Sequence, residues 1–176
     1  MYKHILLATD GSENAIRAAK EAIKIATCID ALIEIVYVAD FEKSKSDVLH
    51  SSSSEALDLQ RRKKIAPVEQ LIRDANLTYQ VKILRGIPGQ EIVRYANEQQ
   101  VDMVVIGSRG LNGLQEMVLG SVSHKVMKGV NCPALIVKQE HKSTYPLIRC
   151  FLLSIHLLTY RKQHDRHNDR TAILLV

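Results

Sequence analysis

Tryptophan is absent from the 176 residues of this chain, and aromatic residues together make up only 5% of it. Proteins that bind single-stranded nucleic acids by base stacking need such side chains, so this class of function is disfavoured. The formal net charge of +5 does not favour nucleic-acid binding either, because residues 139–176 carry +3 and residues 1–138 only +2. The main body is therefore nearly balanced in charge, and we expect no nucleic-acid partner.

Cysteine is scarce and widely spaced: Cys28, Cys132 and Cys150 form no C-x-x-C pair. An odd number without that spacing argues against a disulfide framework or a zinc site and favours a reducing compartment. The chain also lacks the roughly 18 consecutive apolar residues of a membrane span. Its first residues carry no signal-peptide pattern. We therefore expect a cytoplasmic protein with no membrane partner.

Several widespread nucleotide-binding and catalytic signatures are missing as well. No G-x-x-x-x-G-K-[ST] occurs, so no P-loop lysine is available to reach the phosphates of a nucleotide. No G-x-G occurs, which excludes the dinucleotide fingerprint of the Rossmann fold. The protein-kinase and nucleophile-elbow signatures are absent too. Any nucleotide site must therefore be built in another way.

Short apolar runs alternate with amphipathic stretches along residues 1–138. The apolar runs predict five strands, at residues 5–8, 31–38, 79–84, 103–106 and 133–137. The stretches between them predict four helices, at residues 12–27, 55–75, 90–99 and 121–128. Strands separated by helices form parallel sheets with right-handed crossovers. We expect a single-domain α/β fold, a three-layer sandwich around a five-stranded parallel sheet.

Three segments add detail to this prediction. Pro67 falls inside the second helix and predicts a kink or a break there. Alternating side chains over residues 79–84 predict a half-buried strand near a sheet edge. Residues 139–176 break the regular alternation and mix apolar runs with segments rich in His, Arg and Asp. We expect this tail to be an appendage that is poorly ordered or foreign to the domain.

Two loops are expected to meet where the strand order reverses, beyond the carboxyl ends of the strands. The loop after the first strand carries Asp10–Ser12, and the loop after the fourth runs from Gly107 to Gly120–Ser123. Glycines let backbone N–H groups approach an anion, and the start of a helix adds unpaired N–H groups that favour phosphate. The pattern predicts a phosphate cradle with Arg109 as a charge-assisted donor.

Each of these residues, taken singly, has a plain structural interpretation. Gly107 or Gly110 can simply turn a strand into a loop, and Ser12 or Ser121 can simply cap a helix. Asp10 can be a turn residue whose carboxylate accepts a bond from a nearby backbone N–H group. Placed together between a buried strand and a helix, the residues favour a phosphate site instead.

The same residues carry a resemblance. Gly107-x-x-Gly110, nine further residues and then Gly120-Ser121 resemble the G-x2-G-x9-G-[ST] pattern of the universal stress protein family. The likeness extends over residues 2–138. It also includes Lys3–Ser12, Gly86–Pro88, Val104–Gly110 and Cys132–Val137. The resemblance implies a nucleotide-binding domain at residues 1–138 with the adenine nucleotide α-hydrolase-like fold and sheet order 3-2-1-4-5.

The resemblance also implies an ATP site of the family's nucleotide-binding subclass. Asp10 is expected beside the ribose or the phosphates and their metal, Mg²⁺ or Mn²⁺, which bridges phosphate groups. Val38 is expected to contact adenine through its backbone. The remaining implied ligand residues lie along the first strand, the glycine-bearing loop and the last helix: Ala8, Thr9, Gly107, Arg109, Gly110, Gly120, Ser121, Val122 and Ser123.

The implied function is that of an ATP-binding stress-response or signalling component. Relatives in the family commonly form homodimers by pairing their fifth strands, here residues 134–137, and the tail beyond Lys138 leaves from that same strand. Two alternatives stay open from the residues alone. One is a slow ATP hydrolase, for which Asp10 is the only carboxylate we can place near the phosphates. The other is a dimeric interaction module that binds no nucleotide.

Overall fold

A computed structural model describes residues 2–40, 54–108, 119–138 and 173–175, with the backbone alone for 54–58 and 173–175. The helices are α1 (Glu13–Ile29), α2 (Ser54–Asp74), α3 (Pro88–Glu98) and α4 (Ser121–Gly129). The strands are β1 (His4–Thr9), β2 (Leu32–Ala39), β3 (Tyr79–Arg85), β4 (Met103–Gly107), β5 (Ala134–Val137) and β6 (Ile173–Leu175). None of the described helices is long and apolar enough to cross a membrane.

The strands form one sheet in the order β3-β2-β1-β4-β5-β6, and every neighbouring pair is parallel. The predicted order 3-2-1-4-5 is thereby confirmed. One apolar cluster joins the sheet to α1 and α2, and a second joins it to α3 and α4. Two of the described helices therefore lie on each face, which confirms the three layers. Since β1 lies between β2 and β4, the strand order reverses at β1.

Helix α1 lies against the sheet through small side chains. Its buried residues are all alanine, at positions 15, 18, 19, 22 and 26. Small side chains allow a close approach between helix and strand, because little volume separates the two backbones. This approach places the first turn of α1 next to the carboxyl end of β4, where the candidate site lies.

The sequence predicts a kink or a break at Pro67; helix α2 continues through this residue, so the break does not occur. Proline cannot donate the helical hydrogen bond to the carbonyl four residues earlier, here that of Lys63. Pro67 and Lys63 are both exposed, while Ile65 and Val68 are buried. Water can therefore satisfy the carbonyl of Lys63, and the buried face of the helix is unaffected.

Strand β3 is an edge of the sheet, as the sequence predicts, but it is more exposed than expected. Val81 and Ile83 are 39% and 38% exposed, and Leu84 alone on this strand is buried. The alternating pattern predicted one buried face. Among the described strands, β2 alone lies beside β3, so less of this strand is covered.

Strand β6 is a part of the tail that the structure describes, and the appendage expected over residues 139–176 otherwise stays a prediction. Residues 173–175 pair in parallel with residues 134–136 of β5, with Ala134 opposite Ile173. The end of the tail is thus part of the sheet, while residues 139–172 lie outside the described part of the chain. The outer edge of β5, which the resemblance assigns to a second copy of the chain, is occupied by β6.

A buried carboxylate lies within the sheet at Glu34 of β2, which is 5% exposed. The Tyr95 hydroxyl on α3 donates to Glu34 Oε1 at 2.6 Å, and His4 Nε2 on β1 lies 2.9 Å from Glu34 Oε2. These bonds supply the polar partners that a buried carboxylate requires. Burial, and then the bond to Glu34, raise the pKa of Tyr95 to about 12. The cluster links β1, β2 and α3.

Candidate functional site

The carboxyl ends of β1, β2 and β4 lie side by side at one edge of the sheet. Ala8 of β1 is in register with Val36 of β2 on one side and with Ile106 of β4 on the other. Three of the predicted site residues are buried at this edge, each of them less than 10% exposed: Ala8, Thr9 and Val38. The structure therefore brings together strand ends that are far apart in the sequence.

The loop after β1 is a compact turn. The N–H of Ser12 donates to Asp10 Oδ1 at 3.0 Å, and the N–H of Gly11 donates to Thr9 Oγ1 at 3.3 Å. Gly11 has φ +81°, a conformation that favours glycine. Ser12 Oγ then accepts from the N–H of Ala15 at 3.2 Å and caps α1. The structural interpretations of Asp10 as a turn residue and Ser12 as a cap are confirmed.

Gly107, at the end of β4, is in close contact with the start of α1. A Cβ added there would lie 2.9 Å from the backbone carbonyl carbon and oxygen of Asn14, and from its Cβ. Real Cβ atoms do not approach backbone so closely, so any side chain at this position would displace the first turn of α1. Gly107 thus has a packing role that the sequence did not reveal, because nothing in the sequence places Asn14 beside it.

The start of α4 is anchored to the end of β4 through the carbonyl of Ser108. The N–H of Gly120 donates to Ser108 O at 2.8 Å, and Ser108 N–H in turn donates to Val137 O at 2.8 Å. Ser123 is 1% exposed, and its Oγ lies 2.9 Å from Ser108 O and 3.0 Å from Gly120 O. Two predicted ligand groups, the Gly120 N–H and the Ser123 hydroxyl, are therefore engaged in holding α4 in position.

The next three N–H groups, those of Ser121, Val122 and Ser123, form the first turn of α4. Such groups have no partner within a helix. Among the residues that the structure describes, no side chain caps this helix end, and its first turn has no acidic residue. Ser121 is exposed and Val122 is half-buried. The backbone of this turn therefore presents a partial positive charge that favours an anion.

The N-termini of α1 and α3 differ from that of α4 in this respect. Helix α1 is capped by Ser12 and has Glu13 in its first turn. Helix α3 has no side-chain cap but carries Glu91 in its first turn. Among α1, α3 and α4, only α4 lacks both a side-chain cap and an acidic residue at its start. The assignment of Ser121 and Val122 as phosphate ligands stays a prediction.

Two predicted ligand residues, Arg109 and Gly110, lie outside the described residues. The candidate metal ligand Asp10 is half-buried at the carboxyl edge. Across residues 2–40, 54–108 and 119–138, no group of three His, Cys, Asp or Glu side chains is arranged to hold a metal.

An open groove of about 650 Å³ lies between α3 and α4. It shares Ser121 with the candidate phosphate site and continues along α4 past Lys125 to Lys128 and Gly129. The two lysines are exposed and lie one to two turns away from the helix start. A substitution at either lysine therefore removes a charge from the same helix without altering its first turn.

Comparisons with known proteins agree with this geometry. Residues 1–138 match the family model of the Universal stress protein family. The chain is 34% identical over 145 residues to Universal stress protein MJ0531 of Methanocaldococcus jannaschii, a match that covers 81% of this chain and 85% of that protein.

Solved structures show the same architecture. That of protein MJ0577 from the same organism has 32% identity and a TM-score of 0.70, and the match covers 81% of this chain and 99% of that one. A universal stress protein crystallised in complex with cAMP shares the fold at 23% identity, with a TM-score of 0.56 and coverage of 79% and 98%. On the match over residues 1–138 and the curated relative, this chain belongs to the universal stress protein family.

Proposed function

We propose that this chain binds ATP at the carboxyl edge of its sheet and acts as a nucleotide-dependent stress-response or signalling component. The observation that carries the proposal is the first turn of α4, which has no acidic residue and, within the described part of the chain, no side-chain cap. It directly follows the glycine-bearing loop whose spacing resembles that of the family's nucleotide-binding members. An uncapped helix start after such a loop is suited to a polyphosphate.

The distance across the edge suits a nucleotide. Strands β4 and β2 are two strand spacings apart, or about 10 Å. The first anchors α4, and the second ends near Val38. A nucleotide with its phosphates on α4 would span β1 and place its base beside the end of β2. Val38 is 9% exposed, so its backbone and the neighbouring apolar side chains offer a dry surface to an adenine ring.

Asp10 and the phosphates together would hold Mg²⁺ or Mn²⁺. The turn that fixes Asp10 Oδ1 to the N–H of Ser12 orients its carboxylate at the edge before any ligand arrives. A divalent ion there would offset the repulsion between the carboxylate and a polyphosphate. The complex of a related universal stress protein with cAMP supports an adenine nucleotide as the class of ligand for this fold.

Localisation and assembly complete the proposal. The spacing of the cysteines favours the cytoplasm, as reasoned from the sequence. A homodimer through residues 134–137 requires the outer edge of β5, and that edge is paired with β6. We therefore propose such a dimer only for molecules in which β6 has left β5.

The first experiment identifies the ligand. Purified protein is denatured, and any released nucleotide is identified by chromatography and mass spectrometry. Nucleotide-free protein is then titrated with ATP and Mg²⁺ while its thermal stability is followed. A site filled at 100-fold its dissociation constant should add about 2.7 kcal/mol to the free energy of unfolding. No released nucleotide and no stabilisation would support the interaction module instead, and conversion of ATP to ADP would support the hydrolase.

A pair of substitutions tests the role of the helix start. Ser121→Pro removes one N–H from the first turn, and proline is well tolerated at this first helical position. The preceding Gly120 has φ −63° and ψ 153°, an extended conformation that suits a residue before proline. Because charge-assisted hydrogen bonds contribute about 1.5–3 kcal/mol, we expect ATP binding to weaken about ten- to a hundredfold.

The matched control is Ser121→Ala, which removes the hydroxyl but keeps the N–H. It should bind ATP much more tightly than Ser121→Pro does. Equal affinity of the two variants would show that the backbone N–H of Ser121 is not a ligand, provided that circular dichroism shows both to be folded.

A further inference from the structure

Helices α3 and α4 run side by side in the same direction and come close at two points. A Cβ added at Gly89, near the start of α3, would lie 3.1 Å from the Cβ of Lys125 on α4. One turn further along both helices, a Cβ added at Gly129 would lie 2.7 Å from Val93 Cγ1. The open groove of about 650 Å³ is lined by residues of both helices along this line of contact.

The inner surface of this groove is mainly apolar. Val93 of α3 is half-buried there, and Gly129 adds no side chain between the helices. The stem of Lys125 lies across Gly89, since three of its carbons are within 3.5 Å of the Cβ position there. Lysine side chains cover apolar surface with their methylene stems and keep the ammonium group in water. The groove therefore combines an apolar inner surface with charged groups at its rim.

The charges at this rim are positive and lack acidic partners. Lys125 and Lys128 are exposed, and neither forms an ion pair or a hydrogen bond with another residue that the structure describes. Helix α4 contains no Asp or Glu. The two acidic residues of α3, Glu91 and Glu98, are each held by Arg94 at 2.6 Å. A carboxylate that complements the two lysines must therefore come from another molecule.

We propose that the groove between α3 and α4 is a docking site for a short, extended, acidic segment of a partner protein. Its carboxylates would meet Lys125 and Lys128 on α4, and an apolar side chain between them would lie against Val93 on α3. Opposite charges across an interface favour one class of partner and fix its register. Docking in the groove does not depend on nucleotide binding, so either of the two can fail without the other.

The spacing of the lysines suits an extended segment. Residues three apart on a helix lie on the same face, with Cβ atoms about 5–6 Å apart. Side chains two apart on an extended peptide point the same way and are about 7 Å apart, while the residue between them points to the opposite side. Alternating acidic and apolar residues would thus face α4 and α3 respectively. The groove extends along α4 from Ser121 to Lys128, about 10 Å, which is the length of roughly three extended residues.

The test titrates ¹⁵N-labelled, nucleotide-free protein with a short peptide in which glutamate and leucine alternate, while the backbone N–H signals are followed by NMR. Two matched peptides carry lysine in place of glutamate, or serine in place of leucine. The first reverses the charge, and the second removes the apolar side chains but keeps the charge. Together they separate docking in the groove from simple attraction between opposite charges.

Two protein variants with equal net charge complete the design. Lys125→Glu/Lys128→Glu reverses the charge at the groove. The control, Lys20→Glu/Lys63→Glu, reverses two exposed lysines of α1 and α2 on the other face of the sheet. A third variant, Lys125→Gln/Lys128→Gln, removes the groove charges without reversing them, and circular dichroism checks that each variant is folded.

We expect the glutamate–leucine peptide to shift the signals of Gln90, Val93 and residues 124–129. Exposed ion pairs are individually weak, so binding should weaken severalfold in the glutamine variant and about tenfold or more when both charges are reversed. The control variant should bind the peptide as the parent does. The serine peptide should bind more weakly, because it leaves the apolar surface uncovered, and the lysine peptide should not bind.

Three results would overturn docking of an acidic segment. The first is that the glutamate–leucine peptide leaves the groove signals unshifted. The second is that both charge-reversed variants lose affinity equally, or that the serine peptide binds as well as the leucine peptide, since either would indicate unspecific attraction. The third is that the groove signals shift with protein concentration before any peptide is added, which would assign the groove to a second copy of this chain.

Discussion

The N–H of Gly120 donates to the carbonyl of Ser108 at 2.8 Å, which joins the start of α4 to the end of β4. The two residues lie on either side of the glycine-bearing loop. This bond sets where the first turn of α4 sits relative to the sheet edge, and with it the direction in which Ser121 and Val122 present their N–H groups. The candidate phosphate site is therefore positioned by one backbone contact and its neighbours.

The first prediction concerns Ser123, whose buried hydroxyl supports the same contact. Ser123→Ala removes the Oγ that lies 2.9 Å from Ser108 O. We expect the free energy of unfolding to fall by about 1 kcal/mol, because a buried hydrogen bond is lost while Ser108 O keeps the Gly120 N–H. Chemical denaturation measures this. Ser121→Ala removes an exposed hydroxyl from the same turn and should change stability by less than about 0.5 kcal/mol. Equal effects would contradict the bracing role of Ser123.

The second prediction concerns Gly107 and the start of α1. In Gly107→Ala, the new Cβ would lie 2.9 Å from backbone atoms of Asn14, and one of the two elements must move. We expect a loss of about 1–3 kcal/mol in the free energy of unfolding. ATP binding should weaken too, because Asp10 and Ser12 lie on the loop that leads into α1.

Gly129→Ala is the matched control for that change. Its Cβ would approach Val93 Cγ1 at 2.7 Å, a side chain of α3 that must shift, and it lies at the far end of α4 from the candidate site. Valine is stiff at χ1, so we expect a loss of about 1–3 kcal/mol in stability here too. ATP affinity should stay close to that of the parent chain. An equal loss of ATP affinity in the two variants would contradict the link that we draw between Gly107 and the candidate site.

The third prediction places a carboxylate at the start of α4. Gly120 has φ −63°, which any residue adopts, so Gly120→Asp can cap the helix from within. The variant should be as stable as the parent or slightly more so, yet bind ATP at least about tenfold more weakly, because the carboxylate occupies the first-turn N–H groups and repels phosphate. Isothermal titration calorimetry measures the affinity.

Gly120→Asn separates these two effects. Asparagine caps a helix start about as well as aspartate but carries no charge. Its ATP affinity should lie between those of the parent and Gly120→Asp. If both variants bind ATP like the parent, the phosphates do not sit on this helix start.

The fourth prediction concerns pH and the cluster at Glu34. The pKa of Tyr95 is raised from 10.0 to about 12, so the folded state holds the phenol proton more tightly than the unfolded state does. The stabilisation from this proton is complete below pH 10 and is lost as the pH rises towards 12. The difference in unfolding free energy between the parent and Tyr95→Phe should therefore be constant up to about pH 10 and shrink above it. Both proteins keep Lys82, because its Nζ lies 5.9 Å from the Tyr95 ring centroid and contacts that ring. A difference that does not vary between neutral and alkaline pH would contradict this assignment.

The sheet could be predicted because its signals are local. The runs around Ile5–Ala8 and Met103–Ile106 are continuously apolar, as strands covered on both faces are, and the alternation with helices fixes parallel pairing. The start of α4 was found in the same way, from Gly120 and Ser121 after the glycine-bearing loop. β6 was missed because three apolar residues in a tail with other apolar runs carry no periodic signal.

The contacts that position the candidate site could not be predicted, because they join distant parts of the chain. Gly107 meets Asn14, Gly11 meets Lys64 of α2, and Ser123 meets Ser108. The sequence predicts Gly107 and Ser123 as residues that contact the nucleotide. It does not reveal their packing contacts, because a glycine beside a phosphate and a glycine beside a helix are alike in sequence. The exposure of Val81 and Ile83 was likewise set by the position of β3 in the sheet rather than by its alternation.

Backbone N–H signals in an NMR titration test whether a polyphosphate sits on the first turn of α4. Nucleotide-free protein labelled with ¹⁵N is titrated with ATP and Mg²⁺, with Lys128→Ala, a change in the last turn of the same helix, as the matched control. We expect the largest shifts at Ser121, Val122 and Ser123 in both proteins. If ATP leaves these three signals unshifted, or if their shifts disappear in Lys128→Ala, the result would contradict binding at the helix start.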